Sequence, residues 1–211
     1  MRRYETYLKR TMDVLGSAFG LLSTAPILIG TALAVRASMG RPVLFKQARV
    51  GLDAKRFALL KFRTMRPPLP GEESSAADIA RQTRLGTFLR KTSIDELPSL
   101  WCVLKGDMSL VGPRPLLVQY LERYSPEQAR RHLVKPGITG WAQVNGRNSL
   151  SWDEKFALDV WYVDHQSLFL DLGILAMTVC RVLMRTGINA ENSVTMSEFM
   201  GSPAGDSPLS S

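Results

Sequence analysis

The stretch TSIDELPSLWCVLKGDMSLVGPRP, residues 92–115, sets the organisation of the chain around it. It opens with an acidic pair, Asp95 and Glu96, and continues through an apolar run to Gly106. The apolar run predicts a short helix, and a glycine directly after such a run is typical of a helix end. The loop that follows, GDMSLVGPRP, places Arg114 between two prolines.

Two residues are candidates for the start of this predicted helix. Ser93 and Glu96 have the S-x-x-E spacing of a capping box, which satisfies free N–H groups at a helix start. Asp95 is the second candidate, because it would put Pro98 in the first turn, where a missing donor is tolerated. In both cases two carboxylates lie where free N–H groups and the helix dipole favour negative charge.

The acidic pair has a structural and a chemical interpretation. The structural one is a pair of capping acids, and an isolated Asp-Glu pair favours it. The nearby basic residues Arg90, Lys91 and Arg114 favour the chemical one. A carboxylate nucleophile, a divalent metal ion and an anion-binding arginine together suit phosphoryl transfer.

The composition indicates a basic protein with an acidic partner. The chain has 211 residues, enough for one domain with a sizeable core, and a formal net charge of +8. Nucleic acid, an anionic membrane face and phosphorylated substrates all fit that charge. Cys102 and Cys180 lie in apolar runs without metal-ligand spacing, which indicates free thiols in a reducing compartment.

An uncharged segment near the N-terminus predicts membrane association. Residues 14–35 carry no charged side chain, and a helix that spans a bilayer needs about 20 apolar residues. A cleaved signal peptide is one alternative, although the segment is longer than a usual signal-peptide core. A buried helix of a soluble domain is another.

The interior and the flanks of that segment favour a helix pair that enters and leaves on one membrane face. Ser23, Thr24 and Pro26 interrupt its middle, where Pro26 cannot donate to the carbonyl four residues back. Both flanks are basic, so the positive-inside rule gives no orientation for a spanning helix. The flanking cations are Arg2, Arg3, Lys9 and Arg10 on one side and Arg36, Arg41, Lys46 and Arg49 on the other. The sequence therefore predicts a re-entrant hairpin broken at Ser23 and Pro26, with a spanning helix as the alternative.

A strand pair is predicted after the apolar segment. Residues 43–45 and 57–62 have strand-like composition on either side of a turn. Lys61 and Arg63 would share one strand face, which either contacts solvent or binds an anion. Residues 65–82 are rich in proline, serine and acids and are predicted to form a mobile loop.

The second half of the chain is predicted to be mostly helical. A short amphipathic helix at 83–90 precedes the acidic pair, and residues 116–134 suggest two helices that break at Ser125. Ser151 is the predicted N-cap of a helix whose aromatic residues either face lipid or pack. The apolar helix at 168–185 contains charged residues and is too short to span, so it is either interfacial or packed on the core.

Four motifs, in this order, resemble one protein family. They are KFRTM (61–65), LRKTSIDELP (89–98), LKGDMSLVGPRP (104–115) and KPGITGWAQVNGRN (135–148). Together they closely resemble the bacterial sugar transferases, the monotopic polyprenol-phosphate phosphoglycosyl transferases. The segment SWDEKFALDVWYV (151–163) is most similar to small members that consist of an anchor and a catalytic domain.

The resemblance implies an α+β fold that is mostly helical. Its expected parts are an N-terminal re-entrant membrane helix hairpin and a compact catalytic domain with short strands and interfacial amphipathic helices. The expected boundaries are 1–40 for the membrane-inserted part, 41–200 for the catalytic domain and 201–211 for a disordered tail.

The resemblance also implies a two-step reaction with a covalent intermediate. Asp95 matches the family nucleophile, which attacks the β-phosphate of a UDP-sugar and releases UMP. Undecaprenyl phosphate then takes the phosphosugar from Asp95. Glu96 matches the second member of the catalytic pair, which assists metal placement or proton transfer. Mg²⁺ would lie on Asp95 and the phosphates.

The resemblance extends to binding residues, partners and location. Arg114 matches the family's phosphate-binding arginine, and Lys61, Arg90 and Arg147 fall on other basic motif positions. The implied partners are a UDP-sugar, undecaprenyl phosphate and membrane lipids, without nucleic acid, and a homodimer is compatible with the sequence. The implied location is the bacterial inner membrane, with a monotopic chain whose active site faces the cytoplasm.

The sequence departs from the family pattern in three places. Ala25 precedes the helix-breaking Pro26, where serine is usual, and Cys102 stands where asparagine is common. Residues 191–195, ENSVT, differ from the GHVT-like run of enzymes that use UDP-diacetylbacillosamine. That sugar donor and other UDP-N-acetylhexosamine derivatives therefore stay open as substrates.

Two other functions fit parts of the sequence. A non-enzymatic membrane adaptor would use its basic surface to bind anionic lipid, and it predicts that Asp95→Ala leaves function intact. A nucleic-acid binder is suggested by charge alone, without any recognised nucleic-acid module.

Overall fold

The computed structural model describes residues 7–69, 81–146, 150–184 and 198–201. Helices dominate this part of the chain, and its short strands form two separate pairs. The α+β, mostly helical class predicted from the sequence is thereby confirmed. Arg147, residues 191–195, most of the predicted tail and residues 70–80 of the predicted loop lie outside the described residues.

Long helices lie toward both ends of the described chain, with strands, short helices and 3-10 turns between them. The helices are α1 (Lys9–Ser23), α2 (Ala25–Met39), α3 (Arg84–Lys91), α4 (Ser99–Lys105), α5 (Pro126–Ala129), α6 (Trp141–Val144), α7 (Trp152–His165) and α8 (Leu168–Met184). The strands are β1 (Leu44–Val50), β2 (Arg56–Phe62), β3 (Ser109–Val111) and β4 (Gly137–Thr139). Short 3-10 turns occupy Leu52–Ala54, Ile94–Glu96, Val118–Arg123 and Arg130–Leu133.

The break predicted at Ser125 is confirmed, but the two helices predicted on either side of it are only short helical segments. Only α5 is α-helical there, capped by Ser125 and flanked by 3-10 turns. Tyr120 and Tyr124 before it contact an aromatic cluster with Phe156 and Phe199. These tertiary contacts override the local helix propensity of the segment.

α1 and α2 form a bent pair. They meet at Thr24 with a bend of 61°. The hydroxyls of Thr24 and Ser23 both donate to the Gly20 carbonyl, at 2.6 and 3.2 Å, while Pro26 lies in the first turn of α2, where a missing N–H is tolerated. None of the helices in the described ranges is by itself long and apolar enough to cross a membrane, and only the bent pair taken together has that length and composition.

The polar residues of α1 bind the rest of the molecule. The Lys9 ammonium donates to the Val111 carbonyl at 3.0 Å and to the Asp171 carboxylate at 2.5 Å. One turn later, the Asp13 carboxylate accepts from the Leu110 N–H at 2.8 Å. Lys9, Asp13 and Asp171 are all buried. The first helix is therefore joined to β3 and to the last helix through buried polar contacts.

β1 and β2 form the predicted antiparallel hairpin, although both strands are longer than the sequence indicated. Leu44 lies opposite Phe62, and Lys61 lies opposite Phe45. Residues directly opposite each other point to the same sheet face. Arg49, four residues after Phe45 on β1, therefore shares a face with Lys61.

Arg63 does not belong to that face. Its guanidinium is buried and donates to the backbone carbonyls of Arg41, Pro42 and Met65. The prediction that Lys61 and Arg63 share a solvated or anion-binding face is wrong, because β2 ends at Phe62 and the chain turns away. Arg63 instead holds the segment after α2 against the end of the hairpin.

β3 and β4 run parallel and bring the GPRP loop beside the glycine-rich segment. The N–H of Gly112 donates to the Thr139 carbonyl, and the N–H of Gly137 donates to the Pro113 carbonyl. A Cβ on Gly137 would come within 2.1 Å of the Gly112 nitrogen, which no side chain permits. Glycine at this position is therefore required for close backbone packing.

α7 and α8 contribute Tyr162 and Ile174 to a core cluster with Val111 and Val144. Ser151 caps α7 in a capping box with Glu154, as predicted. Tyr162 is fully buried, so the packing interpretation of that aromatic residue is correct, while Trp161 is partly exposed and stacks on Trp141. α8 buries Ile174 on one face and leaves an apolar face exposed.

Candidate active site

The acidic pair lies in a 3-10 turn between α3 and α4. Asp95 and Glu96 belong to the turn, and α4 begins only at Ser99. Ser93 has a left-handed backbone conformation, with φ 57°, and its side chain caps no helix. Both predicted helix starts, the Ser93–Glu96 capping box and the Asp95 cap, are therefore wrong.

Pro98 and the partners of Glu96 explain this difference. Pro98 takes the N-cap position of α4 with φ −60°, so the helix starts after the acidic pair instead of on it. The Glu96 carboxylate is already bound to two cations and does not cap a backbone N–H. Burial and the charges of neighbouring side chains shift the pKa values of both carboxyls.

Glu96 connects two basic residues from distant parts of the chain. Its Oε1 accepts from Lys61 Nζ at 2.7 Å and from Arg114 Nη2 at 2.6 Å. Burial alone would raise the pKa of Glu96, but the charges of Arg114 and Lys61 hold that pKa well below its usual range. Glu96 is therefore an ionised carboxylate that fixes the positions of two cations.

Asp95 has a different environment. Its exposed fraction is 7%, and no hydrogen bond from the described residues reaches its carboxylate. Burial, followed by the charge of Glu96, raises the pKa of Asp95 to about 6, although Lys61, Arg90 and Arg114 act in the opposite direction. A carboxylate without a hydrogen-bond partner retains its oxygen lone pairs for an electrophile, which suits a nucleophile.

The pKa values of Lys61 and Arg114 are shifted by the other residues of this site. Burial and the charge of Arg114 lower the pKa of Lys61, and Glu96 only partly offsets them. Glu96, in turn, raises the pKa of Arg114. Arg90, in the last turn of α3, donates through Nε to Thr64 Oγ1 at 3.1 Å. The structure thus brings together Asp95, Glu96, Lys61, Arg90 and Arg114, while the predicted fourth binding residue, Arg147, lies outside the described residues.

Arg49 is a member of this site that the sequence reasoning missed. It lines a small pocket of about 20 Å³ together with Lys61, Glu96 and Arg114. The sequence interpretation treated Arg49 only as a basic flank of the membrane segment. Strand alternation combined with the hairpin register, which puts Arg49 and Lys61 on one face, was the signal that could have found it.

Arg131 is a second residue that was missed. Its Nη2 donates to the Arg114 carbonyl at 2.7 Å and also to the Asp159 carboxylate at 2.7 Å. Both side chains of this ion pair are buried. No local sequence pattern links residue 131 to residues 114 and 159, so the contact had no detectable sequence signal.

The carboxylate oxygens of the site would fit a magnesium ion that takes its remaining ligands from water and from the phosphates of a substrate. The described residues contain no group of three or more His, Cys, Asp or Glu side chains that could hold a metal ion. Mg²⁺ commonly takes one or two carboxylates and completes its shell with water and substrate phosphates. Asp95 has free carboxylate oxygens for this, whereas Oε1 of Glu96 is bound to Lys61 and Arg114.

Comparisons with known proteins agree with this geometry. The sequence model of the bacterial sugar transferase family matches residues 4–185. A Bacillus subtilis (strain 168) protein named uncharacterized sugar transferase EpsL is 55% identical over 195 residues, which are 92% of this chain and 96% of that protein.

Two longer relatives carry more specific names. The undecaprenyl-phosphate galactose phosphotransferase of Salmonella typhimurium is 38% identical over 88% of this chain and 42% of that enzyme. The UDP-glucose:undecaprenyl-phosphate glucose-1-phosphate transferase of Xanthomonas campestris pv. campestris is 37% identical over 85% of this chain and 40% of that enzyme. The chain thus spans less than half the length of these two relatives. Because the family model covers most of its residues, the chain belongs to the bacterial sugar transferase family and is a phosphoglycosyl transferase by that membership.

Proposed function

We propose that this enzyme transfers a sugar 1-phosphate from a UDP-sugar to undecaprenyl phosphate through a covalent intermediate on Asp95. The names of the Salmonella and Xanthomonas relatives support the lipid-phosphate acceptor. The observation that carries the proposal is the difference between the two carboxylates. Glu96 is bound to Lys61 and Arg114, whereas Asp95 is buried with no hydrogen bond from the described residues.

In the first step, an oxygen of ionised Asp95 attacks the β-phosphorus of the UDP-sugar. A bond forms between that oxygen and the phosphorus, the bond from the phosphorus to the bridging oxygen breaks, and UMP leaves with the electron pair. Lys61, Arg90 and Arg114 stabilise the charge that develops on the phosphoryl oxygens. Each such donor would lower the barrier by on the order of 3 kcal/mol at most.

In the second step, a phosphate oxygen of undecaprenyl phosphate attacks the same phosphorus. The bond to Asp95 breaks, and the product is undecaprenyl diphosphate-linked sugar. Glu96 stays ionised and keeps Lys61 and Arg114 in place during both steps.

Asp95 would hold Mg²⁺ together with phosphate oxygens of the substrate. When bound, the ion neutralises part of the negative charge that otherwise repels a carboxylate nucleophile from a diphosphate.

The bent helix pair supports a membrane location for this reaction. α1 and α2 expose large apolar side chains, among them Phe19, Leu22 and Leu33. Because the pair is bent by 61° and basic residues flank both ends, we propose a re-entrant hairpin in the bacterial inner membrane, with the active site on the cytoplasmic side. A lipid-borne acceptor requires a catalytic domain at the membrane surface.

Cysteine-accessibility labelling tests the hairpin. Single cysteines near Arg3 and near Arg41 should both react with a reagent that is confined to the cytoplasmic side. Reaction of the two positions from opposite sides of the membrane would show that the segment spans it.

Mass spectrometry tests the covalent step. The enzyme mixed with a UDP-sugar and no lipid should release UMP and carry a phosphosugar adduct on Asp95. Asp95→Ala should abolish both signals, and Asp107→Ala, which removes an acid in an exposed ion pair with Lys105, is a matched control. UMP release only in the presence of lipid, or an adduct on another residue, would contradict the two-step scheme.

The sugar is assigned by measuring UMP release under turnover, with undecaprenyl phosphate present. UDP-diacetylbacillosamine and other UDP-N-acetylhexosamine derivatives are the proposed donors, and UDP-galactose and UDP-glucose belong in the panel because relatives carry those sugars in their names. The donor that gives the largest kcat/KM for UMP release is the substrate.

A further inference from the structure

The pocket beside Glu96 is lined by a cation, Arg49, that has no role in the two-step scheme. Arg49 on β1 and Lys61 on β2 enter it from the hairpin, and Arg114 enters it from the GPRP loop. Glu96 is the single acidic residue among the side chains that line the pocket. Its Oε1 is already bound to Lys61 and Arg114, so Glu96 acts on Arg49 only at longer range and forms no direct ion pair with it in the described part of the chain.

The hydrogen bonds of Arg49 are incomplete. Its Nη1 donates to the Pro115 carbonyl at 3.3 Å, and its Nη2 donates to Gln47 Oε1 at 2.6 Å. Its Nε is buried and has no hydrogen-bond partner. Buried guanidinium N–H groups are normally paired, and an unpaired one beside a pocket indicates a missing acceptor.

The charge state of Arg49 fits an anionic acceptor. Burial, together with the charge of Arg114, lowers the pKa of Arg49 to about 10, so the guanidinium remains cationic at neutral pH. Three cations face one carboxylate in this partly enclosed space. A phosphate dianion would balance the two excess charges, and the arginine fork is suited to phosphate oxygens.

The geometry of displacement at phosphorus indicates which phosphate groups would bind in this pocket. Asp95 does not line the pocket, whereas its neighbour Glu96 does. Displacement at phosphorus is in line, so the leaving group of the first step lies opposite Asp95. In the second step the attacking phosphate must approach from that same side. The phosphate of UMP and the phosphate of the lipid therefore occupy one position in turn.

We infer that Arg49 is a binding residue for this shared phosphate position and donates its Nε–H to a phosphate monoester oxygen between Arg114 and Lys61. The inference rests on the proposed function, since it assigns a place to the leaving and to the attacking phosphate of that reaction. It adds to the site a residue that belongs to none of the four family motifs. Arg49 thereby links the release of UMP to the entry of the acceptor.

Direct binding of phosphate monoesters tests the inference without turnover. The dissociation constants of UMP and of a short-chain polyprenyl phosphate are measured by calorimetry on the purified full-length protein. Arg49→Gln should raise both constants about ten- to a hundredfold, the range expected for a charged hydrogen bond. Lys46→Gln is the matched control, because Lys46 is exposed on the other face of β1 and should leave both constants unchanged.

Arg49→Lys keeps the inference testable if the glutamine variant does not fold. It retains the charge and removes the Nε–H, so both dissociation constants should rise severalfold. Unchanged constants in folded Arg49→Lys and Arg49→Gln would overturn the inference. A rise for UMP alone, or for the polyprenyl phosphate alone, would overturn the shared position.

The two proposals fail separately. A wild-type protein that binds UMP through Arg49 but releases no UMP from any UDP-sugar would refute the proposed function and leave the phosphate site in place. A wild-type protein that turns over, with Arg49 variants that bind both monoesters normally, would refute the phosphate site alone.

Discussion

At the level of single residues, Asp95 and Glu96 are neighbours with opposite electrostatic environments. Glu96 gains two cations, while Asp95 loses hydration and gains no hydrogen bond from the described residues. Adjacent carboxylates whose pKa values are shifted apart can take different roles in one reaction. Here the ionised Glu96 positions cations, and the less acidic Asp95 is the proposed nucleophile.

The raised pKa of Asp95 predicts a pH dependence for the first step. Asp95 must be ionised to attack, and its pKa is about 6. The second-order rate constant for single-turnover UMP release, measured without lipid at limiting UDP-sugar, should therefore rise about tenfold per pH unit below that value and level off above it. Arg90→Gln should move the midpoint to higher pH, because it removes a charge that lowers the pKa of Asp95. A midpoint that moves to lower pH in that variant would contradict this description of the site.

The same pKa predicts that Asp95 destabilises the folded protein. The pKa of Asp95 rises from 3.8 to about 6 on folding, so the folded state loses stability from this group as the pH rises between those values. At pH 7 and without divalent metal, Asp95→Asn should raise the free energy of unfolding by about 1–3 kcal/mol. Denaturant unfolding at pH 7 and at about pH 3 checks this, because Asp95 is protonated in both the folded and the unfolded state at the lower pH and the difference should vanish. Equal stability of the two proteins at pH 7 would contradict the burial of an unpaired carboxylate.

At the level of elements, the buried Arg131–Asp159 pair joins α7 to the loop that carries Arg114. Arg131 donates to the Arg114 carbonyl, and Asp159 holds Arg131 in place. Burial raises the pKa of Asp159, and Arg131 only partly offsets that effect. Burial of this ion pair therefore costs free energy of folding. The hydrogen bond from Arg131 to the Arg114 carbonyl holds the GPRP loop in position.

Two variants separate the structural and positioning effects of this pair. Asp159→Asn should lower the free energy of unfolding by about 3–5 kcal/mol, because it leaves a buried arginine without a counterion. The double variant Arg131→Met/Asp159→Leu should recover most of that stability. It should still have a reduced kcat for UMP release, since the Arg114 carbonyl has lost its donor. Recovery of both stability and kcat in the double variant would show that the pair has no positioning role.

Elements whose contacts join residues close in sequence were predicted correctly, and those that depend on residues distant in sequence were not. The β1–β2 hairpin and the Ser151 cap of α7 depend on neighbours in sequence, so alternation and spacing revealed them. The start of α4 depends on Glu96, whose carboxylate binds Lys61 and Arg114, so the local capping pattern was misleading. Arg49 and Arg131 contribute through residues that only the tertiary fold brings near. Asp95, Glu96, Arg114, Lys61 and Arg90 were predicted as site residues from their motifs, and the structure brings these residues together.

At the level of the whole molecule, α1 is part of the catalytic body as well as of the bent helix pair. Its residues Lys9 and Asp13 are buried against β3 and α8. The boundary predicted near residue 40 separates segments that share these contacts. The two parts are therefore not expected to fold independently.

Removal of residues 1–40 tests this dependence. The shortened chain should show no cooperative thermal unfolding by circular dichroism, because Asp171 would be buried without Lys9. The full-length double variant Lys9→Met/Asp171→Leu is the control, since it replaces the ion pair by apolar contacts and should still unfold cooperatively. Cooperative unfolding of the shortened chain at the temperature of the full-length protein would show that the catalytic body folds without α1.

The contacts of Lys9 also constrain the order in which the protein assembles during translation. Its hydrogen-bond partners Val111, Tyr162 and Asp171 lie 102, 153 and 162 positions further along the sequence. Earlier segments of a chain leave the ribosome first, so the ion pair of Lys9 cannot form until Asp171 has been made. α1 is thus synthesised well before it can reach its final contacts, and Lys9 stays hydrated until α8 has been made.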